Sequence, residues 1–139
     1  MHNLVSILAG AVAYQLLGAL WYSPLLFVKA WMPLVGLTPK KIEAGKKKGM
    51  VKTYTLSFLC GLLIAYTTCV LFQRFEFSGG ALSGLKLNLV LALGIVASTH
   101  LPRYLFQELP IKLYLIEAGF QVVGTILIGI VVGSIGVLP

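Results

Sequence analysis

Apolar positions in this chain come in long unbroken runs, and four of those runs are long enough to cross a bilayer. The first extends from Leu4 to about Phe27 and holds no ionised side chain. The second extends from about Thr53 to Phe72 and is also free of formal charge. The third, from about Leu82 to Leu105, carries Lys86 near one end and Arg103 near the other. The fourth, from about Leu113 to Leu138, holds a single charge, Glu117. A span needs about 20 mostly apolar residues to traverse the hydrocarbon core. That core offers no partner to an unpaired backbone group, so a span is a helix or part of a closed barrel. Barrel strands are about 10 residues long and alternate with a period of two. Leu87-Asn88-Leu89-Val90-Leu91-Ala92-Leu93 alternates only briefly, and the runs are too long for strands. The pattern therefore predicts an all-α integral membrane bundle of about four transmembrane helices, forming a single domain over residues 1–139. Only Met1, His2 and Asn3 precede the first run, and it exceeds the 7–15 residues of a signal-peptide apolar region, so it is expected to be retained.

Composition removes the soluble alternative. The 139 residues are 58% hydrophobic and 11% charged, with a mean hydropathy of +0.94. Soluble domains run at about 45–50% apolar and about 25% charged. A chain this short has too few polar residues to cover its own surface.

Charge then orients the spans. Seven of the eleven basic residues lie between the first two spans: Lys29, Lys40, Lys41, Lys46, Lys47, Lys48 and Lys52. Arg103 and Lys112 flank the third connection, while Arg74 and Lys86 fall on the opposite side. Short cytoplasmic loops accumulate Lys and Arg. The basic loop 29–52 is thus expected on the cytoplasmic side, or its organellar equivalent, with the N- and C-termini outside. A bacterial inner membrane and an organellar membrane fit this equally. Within the loop, Thr38-Pro39 reads as a helix N-cap followed by proline at the first helical position, opening a short basic interfacial helix toward Lys48. Lysines beside a span attract anionic lipid at about 1 kcal/mol each. Lys40, Lys41, Lys46, Lys47 and Lys48 are the expected anionic-lipid surface. Nucleic acid is not an expected partner, because the net charge of +7 sits on a membrane-tethered run without interleaved aromatics.

Trp21, Tyr22, Phe27 and Trp31 gather where the first span should reach the interface, the depth such rings prefer. Pro24 removes a backbone donor there, so a crossing helix is expected to end or kink into an interfacial one.

Candidate chemistry is confined to polar groups at membrane depth: Gln15, Asn88, Ser98, Thr99, His100, Glu117 and Gln121. Glu117, Gln121 and Gly124 share one helical face. Glu117 lies five residues past Lys112, roughly 7 Å along a helix, and His100 and Arg103 fall at similar depth on the antiparallel third span. A Glu117–Arg103 or Glu117–His100 pair is expected, giving a polar cluster of His100, Arg103, Glu117 and Gln121. Its plainest role is to fix helix register; a proton-relay or ligand-binding carboxylate is the sharper one. Gly129 and Gly133 form a GxxxG seam for close helix packing, and Gly61/Ala65 and Ala9/Ala13 repeat the small-residue spacing. Cys60 and Cys69 are nine residues apart on one helix and form no CxxC. Two histidines are too few for a metal site, Asp is missing altogether, and no nucleophile triad or phosphate loop is legible. No catalytic residue, metal or cofactor is expected.

The stretch Gly18-Ala19-Leu20-Trp21-Tyr22-Ser23-Pro24-Leu25-Leu26-Phe27-Val28-Lys29-Ala30-Trp31-Met32 resembles the hallmark of the small membrane proteins grouped as domain of unknown function 1761. Gly36-Leu37-Thr38-Pro39, Gly49-Met50-Val51-Lys52-Thr53-Tyr54, Tyr104-Leu105-Phe106-Gln107, Lys112-Leu113 and Glu117-Ala118-Gly119-Phe120 are similar to its further segments. The resemblance covers nearly the whole chain and implies a four-helix membrane protein without an assigned activity. Gln107 stands where the family often has Glu, and Lys40 and Lys41 where it often has acids.

Three functions compete. Small size, short loops and glycine seams favour a non-enzymatic membrane protein, an accessory subunit or self-associating scaffold in a homo-oligomer or larger complex. The alternative is a small oligomeric transporter or channel using Glu117. A lipid- or glutathione-handling enzyme is third, since the Arg/Glu/His second-span motif of membrane glutathione transferases is missing.

Overall fold

A computed structural model describes residues 2–75 and 79–138, with His2 described through its backbone alone. Met1 and Pro139, the ends of the expected domain, lie outside the described residues. The element order is α1 (His2–Trp21), α2 (Val28–Leu34), α3 (Pro39–Lys48), α4 (Val51–Arg74), α5 (Ala81–Leu91), a π-helical segment (Ala92–Ala97), α6 (Ser98–Phe106) and α7 (Ile111–Ile135). No strand occurs among the described residues. The α5–π–α6 run is one rod, Ala81–Phe106, and with α1, α4 and α7 it makes four helices long and apolar enough to cross a membrane.

Local chemistry sets the helix ends. The first span stops at Trp21, short of the expected Phe27, because Pro24 has no amide hydrogen to continue the ladder. Ser23 turns its hydroxyl back to the Leu20 carbonyl at 2.6 Å, and the Phe27 amide closes the turn on the Trp21 carbonyl at 3.0 Å. α2 ends at Leu34, and the chain turns away at Gly36, whose φ of 68° suits a residue without a Cβ. α3 starts as expected: the Thr38 hydroxyl accepts from the Lys41 amide at 3.3 Å, ahead of Pro39. The fourth span ends at Ile135 instead of Leu138, where Gly136 turns at φ 93°.

The π segment of the third span has no sequence expectation behind it. Pro102 lies one turn further on and supplies no amide to the preceding carbonyls. Tyr114 of α7 compensates, its hydroxyl donating to the Ala97 carbonyl at 3.0 Å.

α7 is the hub, packing on α1, α4, α5, the π segment, α6 and α2. Its apolar window is 44% buried, against 17–28% for the other three long helices. Tyr14, Ala65, Cys69, Phe120, Ile128 and Val132 form the core cluster. The Gly129/Gly133 seam is used within the chain. A methyl on Gly129 would collide with the Gly84 carbonyl and lie 2.6 Å from the Asn88 Cβ. Gly133 meets Gly80 as closely, and the Gly80 amide donates to the Gly133 carbonyl at 2.8 Å. Polar bonds close the same end of the bundle. Ser6 donates to the Gly136 carbonyl at 2.7 Å, and the Asn3 and Gln73 amides donate to the Leu138 carbonyl at 2.9 and 2.8 Å.

Candidate functional site

The turn at Ser23-Pro24 decides the geometry of the opposite, lysine-bearing end. It folds α2 back across the start of α7 and delivers Trp31 to Glu117. The Trp31 indole nitrogen donates to Glu117 Oε1 at 3.1 Å. The Tyr104 hydroxyl donates to the other carboxylate oxygen, Oε2. Both oxygens are thus held by uncharged donors from two different elements, α2 and α6.

Rings complete the surroundings. Tyr22 meets Trp31 edge-on with centroids 5.0 Å apart, and meets Phe120 at 5.6 Å. Trp21 packs on Phe27 at 4.6 Å and donates its indole N–H to the Ile116 carbonyl at 3.0 Å. Tyr104, itself buried, stacks edge-on against Tyr114 at 5.3 Å.

Neither expected partner of Glu117 is among its hydrogen-bond donors. Arg103 is exposed and places its guanidinium 5.8 Å from the Tyr104 ring centroid. His100 turns Nδ1 to the Val96 carbonyl of its own helix, 2.7 Å away. Successive helical residues point about 100° apart, so a face that presents Tyr104 to α7 turns Arg103 away. Gln121 is near this group but separately engaged, accepting from the Tyr14 hydroxyl at 2.8 Å. Gly124, a turn on, is filled by the Tyr14 ring, 2.7 Å from where a Cβ would stand.

A second polar node lies deeper. The Asn88 amide donates to Thr68 Oγ1 at 3.0 Å and to the Thr125 carbonyl at 2.6 Å, all three residues buried. It joins α4, α5 and α7 where a polar group without a partner is costly. Ser98 and Thr99 instead bond the Gly94 and Ile95 carbonyls of their own helix, each at 2.6 Å.

Lys40, Lys41, Lys46, Lys47 and Lys48 are all exposed on α3. The last three occupy its final turn, where cations complement the helix dipole. Between α1 and α4, at this same end, lies a cavity of about 440 Å³ lined in part by Gln15, Tyr22, Thr53, Tyr54 and Ser57. Cys60 is exposed, Cys69 is buried, and both are free thiols. Among the described residues, no group of three His, Cys, Asp or Glu side chains is placed to hold a metal ion.

Sequence reasoning missed Trp31 and Tyr104 as partners of Glu117, and Thr68 as the partner of Asn88. The signal for Tyr104 was weak but present: a hydroxyl one helical turn from His100, at the depth of the acid. Trp31 carried no such signal, because only the tertiary return of α2 brings it there.

No curated protein and no solved structure matches the chain. A family profile does match. It covers residues 5–133, nearly the whole chain, and the chain belongs to the family described as "Protein of unknown function (DUF1761)".

Proposed function

We propose that this chain is a non-enzymatic, multi-pass integral membrane protein that acts as an accessory subunit or helical scaffold. The lysine-bearing end faces the cytoplasm or its organellar equivalent, with α3 lying on an anionic leaflet. The observation that carries the scaffold reading is the contrast between α7 and the third span. α7 uses its glycines and its carboxylate to hold its own bundle together. The Ala81–Phe106 rod stands at the edge, only 17% buried over its apolar window. Its outward surface is irregular: the π turn exposes Gly94, Ser98 follows four residues later, and Leu93 and Ile95 flank them. Small residues on an uncovered helix let another helix approach closely.

Native mass spectrometry of the protein released with its own membrane tests this reading. Release as a homo-oligomer, or with larger subunits, supports it. Release as a bare monomer, with a photo-crosslinker at position 93 capturing only lipid, refutes it.

A transporter reading has one observation in its favour, the placement of Glu117 among the Tyr22, Trp31 and Tyr104 rings, which suits an organic cation. Proton-coupled flux in vesicles that disappears in Glu117→Gln would favour it over the scaffold.

A further inference from the structure

The cavity between α1 and α4 holds a polar group that the fold leaves unanswered. Its volume, about 440 Å³, falls within the roughly 300–1,000 Å³ of ordinary small-molecule sites. Gln15, Ala19 and Tyr22 line one side, and Thr53, Tyr54 and Ser57 line the other. Ala19 and Tyr54 are exposed, so the mouth opens sideways, toward what would be lipid. Gln15 Oε1 is buried and has no hydrogen-bond partner. The adjacent Tyr14 hydroxyl does not serve it, being directed to Gln121 at 2.8 Å. Buried amide oxygens are almost always paired, and one at membrane depth has little water to turn to. Its natural partner is a donor brought in from outside.

Three features specify that donor. It must carry a hydroxyl or amine that reaches Gln15. It must have an apolar body continuous with the bilayer, because the mouth opens beside Leu16 and Ala19. It must suit a positive charge next to the cavity: Lys52 directly precedes the lining residue Thr53 on α4. Phosphatidylcholine has no donor, and simple fatty acids have none once ionised. Phosphatidylethanolamine has a donor, but its ammonium offsets the phosphate charge that Lys52 favours.

We propose that this cavity is a specific site for an anionic phospholipid whose headgroup bears free hydroxyls, of the phosphatidylglycerol kind. A headgroup hydroxyl donates to Gln15 Oε1. The phosphate lies toward the Thr53 and Ser57 hydroxyls and Lys52, and the acyl chains stay in the bilayer outside the mouth. This site is distinct from general attraction of lipid to α3, and it does not depend on whether the chain has a protein partner.

The test is lipid retention by the delipidated full chain, read by native mass spectrometry. The lipids offered are phosphatidylglycerol, phosphatidylmethanol (the same charge without the hydroxyls) and phosphatidylcholine. One phosphatidylglycerol per chain is expected to be held about tenfold more tightly than either of the others, the ratio set by one buried hydrogen bond. Gln15→Leu should remove that preference and bring phosphatidylglycerol to the phosphatidylmethanol level. Ala19→Phe, on the exposed rim, should block the site without disturbing the core, and it carries the test if Gln15→Leu does not fold. Replacing Lys46, Lys47 and Lys48 by Gln should reduce loosely bound anionic lipid while the single tight lipid persists. Equal retention of phosphatidylglycerol and phosphatidylmethanol, or unchanged preference in Ala19→Phe, overturns the proposal.

Discussion

The two halves of α7 hold the bundle together by different means. From Gly124 onward the helix is lined with small residues, and its neighbours come within backbone contact at Gly129 and Gly133. From Leu113 to Phe120 it meets large rings instead, and its one carboxylate reaches across to α2 and α6. In the first half, separation is set by the absence of side chains, so little can be added. In the second, position is set by hydrogen bonds between side chains, so little can be removed. A bilayer supplies no hydrophobic force between helices, and close approach and polar contact are the two remaining ways to hold them together.

The contrast can be broken most sharply at the glycine half. Gly129→Ala drives a methyl into the Gly84 carbonyl and Asn88, and should lower stability by about 3 kcal/mol. Thermal unfolding in detergent measures this, with Gly94→Ala as the comparison. Nothing lies within 4 Å of a Cβ at Gly94, so that change should lose no stability.

At the ring half, Glu117→Leu leaves the Trp31 indole and Tyr104 hydroxyl without their acceptor, at a cost of about 2 kcal/mol. α2 should detach locally, giving red-shifted tryptophan emission. Glu117→Gln keeps an acceptor for Trp31 and should show a smaller shift. If both variants emit like the wild type, the carboxylate does not fasten α2.

Asn88 belongs to both modes, since it packs against Gly129 and bonds Thr68 and Thr125. Asn88→Leu should cost about 1 kcal/mol, near the values found for polar pairs in membranes, with thermal unfolding again the readout. The smallest effect is expected at the turn before α7, where Glu108 adopts φ 51°. Glu108→Gly removes the left-handed penalty on a residue with a Cβ and, less the entropy a glycine loses on folding, should raise stability by about 0.5 kcal/mol. A lower unfolding temperature would show that the Glu108 side chain contributes more than its backbone strain subtracts.

Hydropathy alone located the four long helices, because length and apolarity are local properties of the chain. Thr38-Pro39 and Pro24 placed a helix start and a helix end for the same reason. Gly129 and Gly133 were legible as small residues at helical spacing, although their mates Gly80 and Gly84 needed the three-dimensional register. Glu117 was legible as a costly acid at depth. Its donors were not, because opposite charge suggested Arg103 and His100, whereas α6 turns Tyr104 toward α7 and α2 returns with Trp31. The π segment escaped altogether: Ala92–Ala97 is apolar and regular in sequence, and its geometry depends on Pro102 downstream and on Tyr114 of another helix.

The position of α7 in the chain has a consequence for assembly during synthesis. α1 and α4 pack directly on each other and can pair once both have emerged. The Ala81–Phe106 rod touches α4 only slightly and takes its main contacts from α7, which is made after it. Until the ribosome has delivered α7, the third span has nowhere to settle, and Asn88 waits in the membrane without the Thr125 carbonyl. A nascent chain halted before residue 111 would therefore present a paired α1–α4 and a loose third span whose Asn88 amide has Thr68 of α4 as its one remaining acceptor.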